Sequence, residues 1–268
     1  STPALMGILN LTPDSFHDGG QFNSIESAIA RTGKMLEDGA TIIDVGAQST
    51  RPGAEFLNAE QEWDRLCELL PELVRTFPET VFSIDTFHSQ VAIKAINAGC
   101  SIVNDVSGGE LDPNMFSSVA ALKAPYILMH MQGTPATMQE APEYEDVTRT
   151  VFDYFLKKSI LLREAGVKDI LLDPGFGFGK TLEQNFELLH ALPYLKELEY
   201  PILVGLSRKS MVNKVIGTLP ESALNGTTVL NTIALENGAS VLRVHDVKEA
   251  TQAVKLVHFY QHVREKSM

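Results

Sequence analysis

The sequence predicts a single-domain α/β protein, a (β/α)8 TIM barrel spanning residues 1–268, and three observations carry that expectation. The chain length suits one barrel of about 250 residues. Eight short apolar runs recur along it, each followed by a polar or glycine-containing loop and then a helical pattern. The runs are near-continuously apolar, as strands covered on both faces of a parallel sheet require. A doubly wound open sheet is the runner-up, but its glycine fingerprint is missing.

The first run, Leu5 to Leu11, leads into a helix that Asn23 can cap. Glu26 stands three residues on, a capping-box spacing. Ile25, Ile29, Thr32 and Leu36 then follow a 3.6 period, and Gly39 is its stop. Ile42 to Val45, Val81 to Ile84, Ile102 to Val106 and Tyr126 to Met129 are the next four runs. A long helix over Thr148 to Gly166 precedes the sixth, Ile170 to Leu172. Ile202 to Leu206 and Val241 to Val244 complete the set, and Val247, Ala250, Val254 and Val257 mark one face of a closing helix.

Charge and cysteine usage narrow the function. Lys and Arg total 22 against 34 Asp and Glu, a net charge of −12. Such a surface repels nucleic acid and anionic membranes, so neither is an expected partner. No apolar stretch of about 18 residues is present, and Ser1-Thr2-Pro3-Ala4 lacks the basic region of a signal peptide. Cys67 and Cys100 lie far apart with no C-x-x-C pattern, which reads as two ordinary thiols in a reducing cytoplasm.

In a barrel of this kind the working face is the C-terminal end of the strands. Polar residues collect there. The runs end in Asn10, Asp44, Asp85-Thr86, Asn104-Asp105, His130, Asp173, Ser207-Arg208-Lys209 and Arg243-Val244-His245-Asp246. One such residue is commonly a cap or turn former, but eight sets would converge on one mouth. Arg51, Arg208, Lys209, Arg243 and His245 make that mouth cationic on an acidic body, which suits a small anionic substrate. Alternation along a strand aims Arg243 and His245 the same way. Gly175 to Thr181 fails the phosphate-loop pattern, because Pro174 stands where a Gly is required, and Lys180 breaks G-x-G-x-x-G. A tight loop that lets backbone pass near a ligand is the better reading.

Leu5-Met6-Gly7-Ile8-Leu9-Asn10-Leu11-Thr12-Pro13-Asp14-Ser15-Phe16 resembles the opening signature of the dihydropteroate synthases, and Ser49-Thr50-Arg51-Pro52-Gly53 their second. Asn104-Asp105, Asp173 to Lys180, Ser207-Arg208-Lys209 and Arg243 to Asp246 continue the match in order. The resemblance implies a homodimeric (β/α)8 barrel. It would join 6-hydroxymethyl-7,8-dihydropterin diphosphate to 4-aminobenzoate with magnesium, releasing pyrophosphate and 7,8-dihydropteroate in folate synthesis. Sulfonamides, which mimic 4-aminobenzoate, are expected inhibitors. His17 and Ala47-Gln48 depart from the usual pattern, beside the residues with assigned roles.

The resemblance also implies residue roles. Asp173 would accept the pterin's amino and ring N–H groups in a fork. Asp85 and Asn104 would add edge contacts, and Lys209 would donate to the ring carbonyl and nitrogen. Met129 and Phe178 would pack beside the heterocycle. Arg243 and His245 would hold the diphosphate, and Asn10 would give magnesium an amide oxygen. Thr50, Arg51, Pro52, Ser207 and Phe16 would line the amine site, with two loops, Asp14 to Gly20 and Ser49 to Gly53, as lids. Lys209, Arg243, His245 and Asp85 are the expected catalytic set. The expected path is C–O cleavage at the exocyclic methylene before amine attack, with no side-chain nucleophile. Rival readings are a methyltetrahydrofolate:corrinoid methyltransferase, which has no use for a diphosphate pocket, and a silent pterin-binding protein, which could dispense with Asn10 or Lys209.

Overall fold

The structure is a computed structural model and describes residues 2–11, 21–48, 57–133 and 143–266. Strand β1 (Ala4–Asn10) is followed by α1 (Gln21–Glu37) and β2 (Ile42–Gly46). Two short helices, α2 (Ala59–Leu66) and α3 (Leu69–Thr76), lead to β3 (Val81–Asp85) and α4 (Ser89–Asn97). Then come β4 (Ile102–Asp105), α5 (Met115–Leu122), β5 (Tyr126–Met129) and α6 (Val147–Ala165). β6 (Ile170–Asp173) is followed by α7 (Leu182–His190) and the single turn α8 (Leu192–Leu195). β7 (Leu203–Val204), α9 (Ser210–Ile216), α10 (Leu224–Glu236), β8 (Val241–Val244) and α11 (Val247–Lys266) end the chain.

All eight strands pair in parallel in the order β6-β5-β4-β3-β2-β1-β8-β7. A parallel bridge between Leu172 and Ile202 joins the two ends, so the sheet closes into the expected barrel. Several local expectations shift. Helix α1 begins at Gln21, so Asn23 lies inside its first turn and does not cap it, because a cap residue must leave helical backbone geometry. α6 matches the expected helix within a residue. Asp146 caps it by accepting from Arg149 N at 2.9 Å, and Gly166 ends it at φ 103°. β7 is shorter than the apolar run, and Ile202 joins the sheet through its single bridge to Leu172.

The period of two sorts each strand into an outward and an inward face. Outward residues such as Leu9, Ile43, Val45, Phe82, Ile84, Val103, Leu172 and Leu242 join the helices in one continuous core. Inward, Met6, Ile102, Ile127, Leu203 and Val241 are buried together, with Ala4, Ile42 and Leu171 packed against them. This apolar plug fills the lower half of the barrel. One pleat higher on the same strands stand Asp44, Asn104, Met129, Asp173, Gly205 and Arg243. The site is therefore a polar layer laid on a dry floor. Cys67 and Cys100 are both free, and burial pushes the Cys100 thiol up to about 12. Among the described residues no helix is long and apolar enough to cross a membrane.

Because Ile127 is fully buried in the plug, Ile127→Ala should cost about 3 kcal/mol of stability through lost burial and the cavity left behind. Guanidinium unfolding monitored by circular dichroism measures it; an unchanged midpoint would mean the barrel floor is not packed as described.

Candidate active site

Arg243, inward on β8, is the centre of the polar layer. Its Nε donates to Asp44 Oδ2 and its terminal nitrogen to Asp85 Oδ2, both at 2.6 Å. Asn104 Nδ2 donates to the same Asp44 oxygen at 3.0 Å. Strand register explains the grouping: Asp85 pairs with Asn104 across β3 and β4, and Gly46 pairs with both Asn10 and Asp85. Burial opposes the charge on Arg243, yet Asp44 and Asp85 hold its pKa above the usual arginine value. Burial lifts Asp85 to about 7, against the pull of Arg243, with Asp44, Asp105 and Asp173 adding repulsion. Behind it Glu62 of α2 is wholly buried, and desolvation raises its carboxyl to about 8.

The neighbouring Asn104 and Asp105 have opposite fates, as alternation dictates. Asp105 faces out of the barrel. It accepts from Ser107 N and Oγ, each at 2.7 Å, from Gly109 N at 2.9 Å and from Tyr126 Oη at 2.7 Å. Its role is to tie β4, β5 and the loop after β4 together.

Across the mouth, Asp173 and Lys209 are joined by the loop after β6. Asp173 Oδ1 accepts from Gly175 N at 2.8 Å. Lys209 Nζ donates to Phe176 O and lies 4.7 Å from the centre of the Phe178 ring, a cation–π distance. Burial lifts the Asp173 carboxyl, opposed by Lys209 and the Gly175 N–H, and burial lowers Lys209 to about 8 while Asp173 holds it up. Gly205 lies beneath that lysine and Arg243, with the place a Cβ would take in ordinary contact distance of both, 3.8 Å from Nζ. Beside them Met129, Phe87 and Val106 form a buried apolar patch that Phe178 and Met131 adjoin. Two cations, three carboxylates, an amide and an apolar wall thus share one mouth, suited to a flat, polar-edged heterocycle.

On the remaining side, His245 lies against Ser207, whose Oγ is 3.2 Å from His245 N and 3.1 Å from Nδ1. Burial, Arg243 and Arg208 depress His245 to about 4, so it is neutral at pH 7. Arg208 stands near enough to His245 to lower its pKa, as a cation of the mouth does. Its fork is closed on Asp246 at 3.0 and 2.5 Å. Asp246 lies next to His245 and engages both arms of that guanidinium in a bidentate pair. Arg31 of α1, which the sequence reading passed over, is near enough to repel both Arg208 and His245. Asn10 sits half-buried at the end of β1 and makes no side-chain hydrogen bond among the described residues.

The structure therefore brings Asp85, Asn104, Met129, Asp173, Phe178, Ser207, Lys209, Arg243 and His245 to one end of the barrel. Phe16, Thr50, Arg51, Pro52 and His17, with both expected lid loops, lie outside the described residues. Gln48 is buried, and its Oε1 accepts from Leu57 N at 3.1 Å, bracing the chain on either side of the second loop. Asp44 is the functional neighbour the sequence reading named without assigning a role. Asp44→Asn should cost about 3 kcal/mol of stability by leaving Arg243 one counter-charge short in a buried site. Urea unfolding tests this, and a variant as stable as the parent would show the pair to be dispensable.

Comparison with known proteins agrees with this geometry. The family described as pterin binding enzyme matches residues 6–245. The dihydropteroate synthase of Escherichia coli (strain K12) is 42% identical over 259 residues, covering 96% of this chain and 91% of that protein. Xanthomonas albilineans dihydropteroate synthase, solved with 4-aminobenzoic acid, is 38% identical with a TM-score of 0.90, covering 97% of this chain and 93% of that one. The Yersinia pestis dihydropteroate synthase, solved with a sulfonamide drug, is 39% identical with a TM-score of 0.91 over 98% and 95% of the two chains. A shared barrel would account for the superposition alone, but identity at this level along almost the whole length goes further: the chain belongs to the dihydropteroate synthases, a family of pterin-binding transferases.

Proposed function

We propose that this chain, working as one barrel domain over residues 1–268 in the cytoplasm, joins 6-hydroxymethyl-7,8-dihydropterin diphosphate to 4-aminobenzoate. The products are 7,8-dihydropteroate and pyrophosphate, and the pathway is folate synthesis. The observation that carries the reading is the pairing of Asp173 with Lys209 across one loop, against the wall of Met129 and Phe178. A carboxylate that accepts two N–H groups and an ammonium that donates to a carbonyl match the two edges of a pterin. Asp85 and Asn104 meet the remaining edge.

Arg243 stands in the same inward layer as this edge, with Nε and one terminal nitrogen held by Asp44 and Asp85, so its remaining terminal nitrogen is aimed and left to meet a diphosphate. His245, neutral and aligned by Ser207, donates a hydrogen bond to the same group. Asn10 offers a hard oxygen, and its free amide would hold a magnesium ion that came in with the diphosphate. Among the described residues no cluster of three or more His, Cys, Asp or Glu could hold a metal. When bound, magnesium neutralises charge on the leaving diphosphate. The C–O bond at the exocyclic methylene breaks with its electron pair leaving on the diphosphate, and the electron-rich ring spreads the positive charge. The amine nitrogen then bonds to that carbon and sheds one proton. Thr50, Arg51, Pro52, Phe16 and Ser207 are the proposed amine site, where a sulfonamide would compete.

Pyrophosphate release from the dihydropterin diphosphate, with magnesium and with or without 4-aminobenzoate, tests this reading. Dihydropteroate should form only when the amine is present, with slower release in its absence. Asp173→Asn and Lys209→Met should each lower kcat/KM by roughly 10- to 150-fold, the scale of one charge-assisted hydrogen bond. Pterin affinity unchanged in Asp173→Asn would remove the fork, and undiminished magnesium-dependent turnover in Asn10→Ala would remove the metal role.

The proposed working form is a homodimer. Val215, Ile216 and Leu219 beside α9, Val229 and Ile233 on α10, and Leu256, Phe259 and Tyr260 on α11 are exposed apolar residues, with Leu256 at 72% and Phe259 at 69%. Helix α10 packs against both α9 and α11, which brings the helices carrying these residues side by side, and exposed apolar side chains on neighbouring helices are what an interface between two copies would cover. Sedimentation equilibrium should give twice the chain mass, and Phe259→Glu should shift it to the monomer; a parent protein that sediments as a monomer excludes the dimer.

A further inference from the structure

Lys180 belongs to none of the roles above, yet it is among the most buried charges in the protein, at 4% exposure. Its Nζ donates to Gly175 O at 2.9 Å, Phe178 O at 3.0 Å and His130 O at 3.3 Å. An ammonium has three N–H groups, and these three carbonyls take them all, against a burial that draws the Lys180 pKa down to about 7 while Asp173 holds it up. The loop from Pro174 to Gly179 is wrapped around that charge. Gly175, Gly177 and Gly179 have φ of 68°, 81° and 61°, and a Cβ on Gly175 would come within 2.0 Å of His130 O. Glycines that leave such backbone accessible also leave it loose unless something fixes it.

What the loop presents is the pterin-facing half of the site. Its Gly175 N–H holds Asp173, its Phe176 carbonyl receives Lys209, and its Phe178 ring lies beside the same ammonium. We propose that Lys180 is a positioning residue for the pterin: by gathering the carbonyls of His130, Gly175 and Phe178 it sets where Asp173, Lys209 and Phe178 stand. This rests on the pterin reading of the site. Burying an ammonium is costly without full pairing, and a methionine would fill the same space, so the charge is retained for where it pulls the backbone. Asn185 anchors the loop's other side, accepting from Gly177 N at 2.6 Å and donating to Thr181 O at 2.6 Å, so Lys180 is not alone in keeping the chain folded there.

The test compares the full-length parent with Lys180→Met and Lys180→Arg, using 6-hydroxymethyl-dihydropterin diphosphate by calorimetry and in steady-state assays. Lys180→Met should weaken pterin binding at least 10-fold, while the KM for 4-aminobenzoate at saturating pterin stays within twofold. Lys180→Arg, which keeps the charge but not the three-carbonyl geometry, should fall between. A general loss of packing would instead move both substrates together, and that result overturns the proposal, as does a folded Lys180→Met variant binding pterin within twofold of the parent. Should neither variant fold, the native protein labelled with 15N-lysine decides. The slowly exchanging Lys180 ammonium signal should move on adding the pterin and not on adding 4-aminobenzoate alone, and a signal indifferent to pterin overturns the proposal. A parent that binds no pterin at all defeats the reading of the site itself.

Discussion

A guanidinium held between two carboxylates inside a barrel is the constraint on which the rest of this site depends. Arg243 reaches from β8 to Asp44 on β2 and Asp85 on β3, partners 199 and 158 residues away in the chain. Removing three charges from water is expensive, and only close, mutually satisfied geometry offsets it. The consequences spread outward. Asp85 keeps a raised pKa because it is buried, His245 is kept neutral partly because Arg243 is beside it, and Asn104 takes its orientation from Asp44. The apolar plug beneath makes all of this possible, since a wet barrel floor would hydrate the same groups and loosen them.

The barrel was legible because its evidence is repetitive. Eight apolar runs of strand length, each closed by polar residues, leave few topologies that bury both faces. Period-two alternation then tells inward from outward, and it sorts Asn104 into the mouth and Asp105 away from it. Most of the proposed pterin and diphosphate contacts fell where strand ends placed them. The two lid loops, with Phe16, Thr50, Arg51 and Pro52, stay expectations of the resemblance.

What did not show in the sequence depends on choices made in three dimensions. Strand-end position alone marked Arg208 as a cation of the mouth, and only the folded chain shows Asp246 taking both arms of its fork. Arg31 sits on a helix face where solvated charge is the ordinary expectation. Phe87, Val106 and Met131 look like core residues in the sequence, and their place on the ligand's side of the barrel follows from how the loops after β3, β4 and β5 turn. Lys180 was visible only as the last residue of the matched Asp173 to Lys180 stretch and as the residue that breaks G-x-G-x-x-G. Its three carbonyl partners come from a loop geometry that no local spacing encodes.

The raised carboxyls carry a consequence for the protein as a buffer. Glu62 moves from 4.5 to about 8 and Asp85 from 3.8 to about 7 on folding. Between those limits the native chain holds protons that the unfolded chain releases, so these two groups make stability fall as pH rises, with the loss complete above about 8. Near neutrality these two carboxyls take up protons on folding while Lys180, Lys209 and His245 give them up, so the measured heat of folding changes with the ionisation enthalpy of the surrounding buffer. The formal charge of −12 is likewise the charge of the unfolded chain. The native molecule carries fewer negative charges at pH 7, because the fold retains protons on acids in its interior.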